Sequence, residues 1–164
     1  MRRFKQQLPE EEVIEILKKN ADGVLSLHGE NGYPYGVPVN YVWDQGRIIF
    51  HCAQTGHKAD AMKADAKVCF TVVDTHQVLA RDLATRYRSV IVFGKVRFIE
   101  DPDEKRHAAR VFAEKHSGDY PEAIEAELND VLPRTLIVEI VPEHITGKES
   151  KDLMEARNQT TGQE

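Results

Sequence analysis

Cysteine and tryptophan are scarce in this chain, with two of the first and one of the second. Cys52 and Cys69 are too few for a disulfide framework and stand at no zinc spacing, so both are expected as small, buried, reduced side chains. The seven histidines form neither a His-Glu-x-x-His motif nor a pair at helical spacing, and no metal site is expected. Long apolar runs are missing too: nothing approaches a membrane span, and the start, MRRFKQQLPEEE, has positive charge without the apolar stretch of a signal peptide. The expected location is cytoplasmic, with no membrane partner. Nor is there an excess of positive charge. Charged residues of both signs make up 30% of the chain and the net charge is −5, which leaves no broad footprint for nucleic acid. No internal repeat, low-complexity segment or Rossmann glycine fingerprint is visible.

What remains is enough for one core. A chain of 164 residues with 41% apolar residues suits a single domain, expected over 1–146, with a polar, loosely ordered tail over 147–164. Leu8-Pro9-Glu10 opens a helix in which Val13, Ile16 and Leu17 make one stripe. Short apolar runs then follow at Val24 to His28, Val37 to Trp43, Arg47 to Ala53 and Lys67 to Val73, separated by Gly/Asn/Asp turns. Asp74 to Tyr87 has no clean period and reads as a lid or interface loop. Arg88 to Glu100 reads as a strand with apolar residues on both faces, one of them suited to a partner subunit. Asp101-Pro102-Asp103-Glu104 has the form of a capping box that starts a helix to about His116. A shorter helical piece follows from Pro121, and a last strand covers Thr135 to Val141. Consecutive antiparallel strands interrupted by helices predict a mainly β fold with peripheral helices, an antiparallel split β-barrel of about six strands with Greek-key connections.

Four segments carry residues suited to chemistry. Gly36 to Asp65 runs a hairpin into a short helix that opens Gln54-Thr55-Gly56-His57-Lys58. A helix N-terminus with a Lys, a His and a Thr hydroxyl makes a phosphate cradle, and the strand backbone beside it can hold a flat ring, the layout a flavin mononucleotide (FMN) needs. The same residues would equally serve as a Thr55 cap with two solvated side chains. Pro38 within Val37-Pro38-Val39-Asn40 implies an edge or bulge with backbone groups left over for a ligand, or simply an edge strand with Asn40 facing water. His51, in Phe50-His51-Cys52-Ala53, is either a hydrogen-bonded structural residue or, beside a cofactor, a proton donor. Arg88 and Ser89 begin the long strand, either as a phosphate or ring contact or as a solvent-facing pair.

In order, these segments resemble the pyridoxamine 5′-phosphate oxidase-like FMN-binding split barrel, and within it the nitroimidazole-resistance (Nim-like) branch. The likeness lies in Met1-Arg2-Arg3, Tyr35 to Tyr41, Gly46 to Ala53, Gly56-His57-Lys58, Val68-Cys69-Phe70 and Tyr87 to Gly94, and spans roughly residues 1–142. The resemblance implies a homodimer with FMN at the subunit interface. Pro38, Val39 and Asn40 would border the ring system, and Phe50, His51 and Cys52 would line the ring and ribityl chain. His57 and Lys58, with Thr55, would hold the phosphate, and Arg88 and Ser89 would approach from the partner. It also implies an oxidoreductase that takes electrons from reduced nicotinamide (NADH or NADPH) and reduces a small acceptor such as a nitro-aromatic or a quinone. The tail from Gly147 carries no aromatic residue, unlike the substrate segment of pyridoxamine phosphate oxidases, so vitamin B6 oxidation is disfavoured. The stretch from Thr75 to Arg86 departs from the Cys- and Trp-containing form in many Nim-like relatives and leaves the acceptor open. The rival readings are a flavin or haem binder for sensing, storage or carriage, with His51, His57 or His76 on the iron, and an empty barrel acting as a dimeric interaction module.

Overall fold

The computed structural model describes residues 4–130 and 132–161; Met1-Arg2-Arg3, part of the resemblance above, lies outside them. Seven strands form one antiparallel sheet: β1 (Asp22–His28), β2 (Pro34–Asn40), β3 (Val42–Asp44), β4 (Arg47–Ala53), β5 (Lys67–Leu79), β6 (Ala84–Phe98) and β7 (Thr135–Glu149), in the order β2-β1-β5-β6-β7-β4-β3. Among the described residues five α-helices lie around it: α1 (Glu10–Lys19), α2 (His57–Ala64), α3 (Pro102–Ser117), α4 (Pro121–Asp130) and α5 (Lys151–Thr161). Among the described residues no helix is long and apolar enough to cross a membrane.

The expected count of six becomes seven because the run Val37 to Trp43 divides at Tyr41. Residues before it pair with β1, and residues after it pair with β4 at the far end of the sheet. One bent stretch of chain thus joins the two ends and closes the barrel. Tyr41 is fully buried. Its N–H donates to the Ala21 carbonyl (3.0 Å) and its hydroxyl to the Leu17 carbonyl (2.8 Å). The barrel core packs Leu25, Phe50, Phe70, Val72, Val90, Val92, Val138 and Ile140 against the α1 stripe of Val13, Ile16 and Leu17. Gly94, at a bulge between β6 and β7, has no room for a Cβ, which would strike the Val141 carbonyl oxygen.

Three expectations need correction. Asp74 to Tyr87 is no lid: β5 and β6 continue as a two-stranded ribbon to a one-turn 3-10 helix at Ala80–Asp82. Ladder pairing here overrides the lack of alternation, since a ribbon exposed on both faces needs no apolar period. The last strand runs on to Glu149, and residues 151–161 form α5. Charge anchors that helix. Fully buried Glu149 accepts from Arg157 (Nε, 2.9 Å) and pairs with Arg88 (2.9 Å), while Glu12 of α1 pairs with both arginines at 3.3 and 3.2 Å. Finally, Asp101 does cap α3, accepting from the Glu104 N–H at 2.9 Å, but the Glu104 carboxylate turns to Arg97 instead of closing the box.

That turn belongs to a network that joins β4, β6, β7 and α3. Glu139 on β7 is buried and takes Arg47 of β4 at 2.7 Å and Arg97 of β6 at 2.5 Å, while Arg97 also grips Glu104 of α3. Burial would raise the Glu139 carboxyl, yet the hydrogen bonds from Arg97 and Arg47 outweigh it and hold the group below the usual range. A depressed carboxyl contributes stability above its unfolded pKa and loses it as pH falls through the folded one. Glu139→Gln is therefore expected to lower unfolding free energy by about 2 kcal/mol at pH 7. Urea titrations at a series of pH values should show that gap closing as pH drops below the ordinary glutamate range.

Candidate functional site

The turn after β4 leads into α2 through Gly56, which takes a φ of 120° and serves as the N-cap. Glycine tolerates this backbone where other residues strain, and space above it is open: a Cβ there would meet nothing within 4 Å. No side chain caps α2, so Thr55 is not the cap and the first-turn N–H groups stay available. Thr55 and His57 are exposed and Lys58 is half-buried around that end. The His57 ring meets Tyr35 of β2 edge-on, 4.5 Å between centroids. At the other end of α2, Asp65 accepts from His28 of β1 at 2.7 Å, and the helix buries Ala59, Ala61 and Met62 beneath. Open N–H groups, a lysine, an imidazole and a hydroxyl form a donor set that fits a phosphate.

Alternation along β4 sorts the next three residues. Phe50 and Cys52 point into the barrel core, where Phe50 is wholly buried, so only their backbone can border a ligand. Burial raises the Cys52 thiol, with Lys58 and Lys63 pulling the other way. His51 faces outward, against α3, its ring 4.7 Å from Phe112. On β2, Val39 is buried whereas Pro38 and Asn40 are exposed on the sheet's terminal strand, as an edge proline requires.

Arg88 and Ser89 lie elsewhere. The Arg88 guanidinium is held by Glu149 and Glu12, which commits it to anchoring α5. Ser89 pairs with Val73 and Lys148 on the outer face of β6. In the sheet order β6 stands two strands from β4, the strand that leads into α2, and no contact joins Ser89 to the α2 cradle among those described.

A cavity of about 280 Å³ lies between the α3–α4 hairpin and strands β4 and β7, lined by His51, Phe112, His116, Ile124, Glu127 and Leu128 among others. Phe112 also meets the His116 ring, 4.5 Å between centroids, and His116 is tied by Nε2 to the Tyr41 carbonyl at 3.1 Å. Desolvation lowers the His51 pKa; Glu127 opposes it, and Lys58 and His116 add to it. The Gln54 amide donates to the Pro133 carbonyl at 3.1 Å, which ties the turn leading into α2 to the rim of this cavity. Sequence reading missed Phe112, His116 and Glu127. The available signal was Phe112 and His116 four apart on one helix, with Glu127 between the buried Ile124 and Leu128.

A family model for pyridoxamine 5′-phosphate oxidase matches residues 9–149. The chain belongs to that family. Among curated proteins no match is found. Solved structures with the same fold include a candidate 5-nitroimidazole antibiotic resistance protein of Bacteroides thetaiotaomicron, 22% identical at TM-score 0.71 over 87% of this chain and 86% of that one. A protein of Mycobacterium smegmatis named as binding FAD and haem is 18% identical at TM-score 0.76, over 93% and 80%. A FAD-binding protein of Mesorhizobium loti is 23% identical at TM-score 0.65, over 88% and 97%. At these identities the likeness concerns the fold. Within the pyridoxamine 5′-phosphate oxidase family match lie the whole α2 cradle, the α3–α4 cavity and all of β7.

The place of His51 against Phe112 and near Glu127 has a direct readout. Its imidazole should titrate below the ordinary histidine value of about 6.5 and be neutral at pH 7. In Glu127→Gln the midpoint should fall further, because the carboxylate is what opposes the shift. Ring nitrogen and carbon NMR shifts followed against pH check both.

Proposed function

We propose that this protein is a flavin-dependent oxidoreductase that holds FMN on the α2 cradle and reduces a small acceptor, such as a nitro-aromatic or a quinone, with electrons from reduced nicotinamide. The observation that carries this reading is the uncapped N-terminus of α2, open over Gly56 and ringed by Thr55, His57 and Lys58. Two of the structures described above are named for FAD; the cradle at α2 takes one phosphate, which is the need of the mononucleotide.

When bound, the flavin supplies the electron chemistry, taking two electrons from the donor and passing them to the acceptor. The chain supplies the rest. His57, Lys58 and the α2 N–H groups bind the phosphate, the Thr55 hydroxyl adds a donor, and the backbone of Pro38 to Asn40 and Phe50 to Cys52 borders the ring. His51, neutral at pH 7, offers an N–H to orient the acceptor; as an imidazolium acid it serves only at lower pH. His51, His57 and His76 sit on separate elements, packed against Phe112, against Tyr35 and along the β5 ribbon.

The reading includes a homodimer. The outer face of the sheet aligns Val24, Thr71 and Ile91 in one row and Ser26, Cys69 and Phe93 in the next. Val24, Val73 and Phe93 are 39, 56 and 49% exposed. An apolar face of this kind is suited to a second copy, which could bring its own Ser89 toward the cradle.

Purified protein should take up one FMN per chain and show a flavin spectrum that bleaches with NADH or NADPH under anaerobic conditions. Lys58→Ala and His57→Ala should each weaken FMN at least tenfold by fluorescence titration; unchanged affinity removes the cradle from the site. Ile91→Asp should convert the dimer to monomer in light scattering, and an intact dimer would show that another face is used.

A further inference from the structure

The α3–α4 cavity differs in character from the cradle. The cradle is open, cationic and built of N–H donors, whereas the cavity is enclosed on one side by Phe112, Ile124 and Leu128 and has Glu127 at its polar edge. At about 280 Å³ it exceeds the roughly 150 Å³ that takes a benzene ring, and falls at the small end of ordinary ligand pockets. One ring with substituents, or two fused rings, fill it; a whole flavin nucleotide does not. The His51–Phe112–His116 arrangement lines one wall with ring edges and faces at 4.7 and 4.5 Å, the spacing at which another aromatic ring stacks.

Charge decides which ring. Glu127 is the acid on the lining, and no lysine or arginine stands among the lining residues. Lys58 acts on the cavity from α2, but its effect on His51 ranks below that of Glu127, and its place is at the cradle. We propose that this cavity binds neutral or cationic aromatic molecules of one or two rings and that Glu127 excludes anionic ones. Its role as the acceptor pocket rests on the flavin reading above; its selectivity for ring and charge does not. The consequence for the family is specific: pyridoxamine 5′-phosphate carries an anionic phosphate, and so belongs to the excluded class.

The test uses benzimidazole and benzimidazole-5-carboxylate, the same ring without and with a negative charge. Their binding to the flavin-free and the FMN-loaded chain is measured by saturation-transfer NMR and calorimetry. Benzimidazole is expected to bind at least fivefold more tightly than the carboxylate. Glu127→Gln, at an exposed position, should remove that difference, and Ala123→Phe, which fills the cavity from the exposed face of α4, should weaken benzimidazole at least tenfold. Equal affinity for the two probes, a difference that persists in Glu127→Gln, or binding untouched by Ala123→Phe would each overturn the proposal. Selective binding by a chain that takes up no flavin supports the proposal while removing the acceptor role. FMN uptake without probe binding overturns it and leaves the flavin reading intact.

Discussion

Strands β2 and β3 are consecutive in the chain yet belong to opposite ends of the sheet, so Tyr41 between them must carry the bend where no ladder can satisfy it. Its amide and hydroxyl go to Ala21 and Leu17, its ring meets Phe70 edge-on at 5.1 Å, and its carbonyl receives His116. Burial, with Asp22 and Asp74 nearby, pushes the phenol well above its ordinary pKa, so the hydroxyl remains a donor. Lys115 of α3 lies over the same ring, 4.6 Å from its centroid, and loses some basicity to burial. One residue therefore closes the barrel and seats the end of α3, and the seat of α3 is what leaves a cavity over β4.

Strand β7 carries two buried carboxylates, ten residues apart in the chain, each held by two arginines. Glu139 binds Arg47 and Arg97 and through Arg97 reaches α3; Glu149 binds Arg88 and Arg157 and so holds α5. Placing a charge inside costs several kcal/mol of desolvation unless its partners are well aligned. Here the arginines are only partly buried and keep contact with water, which lowers that cost. The two clusters fix where helices dock on an otherwise apolar barrel, whose packing alone is non-directional.

The site has two parts because a strand has two faces. Along β4, Phe50 and Cys52 serve the core while His51 between them serves the cavity. Two residues after Cys52, the chain turns through Gln54 to Gly56 into the cradle. Lys58 influences both Cys52 and His51, so the N-terminal end of α2 and the aromatic-lined cavity are electrostatic neighbours although different elements wall them.

Much of this was legible in the sequence, and for local reasons. Period-two alternation, the Gly and Asn/Asp turns, the Asp101 cap and the α1 stripe depend on neighbours a few residues away, and they placed α1, β1, β4, the start of α3 and the turn from β4 into α2. Other features depend on partners far along the chain. Whether Val37 to Trp43 is one strand or two rests on β1 and β4 competing for it. Whether Arg88 meets a ligand or an acid rests on Glu149, 61 residues on. The order of α5 rests on the same buried carboxylate. His51 could be placed on a strand from its neighbours, but its wall of Phe112, His116 and Glu127 comes from a helical hairpin more than 50 residues away, and the pairing of β4 with β7, the strand that follows the hairpin, brings the two together.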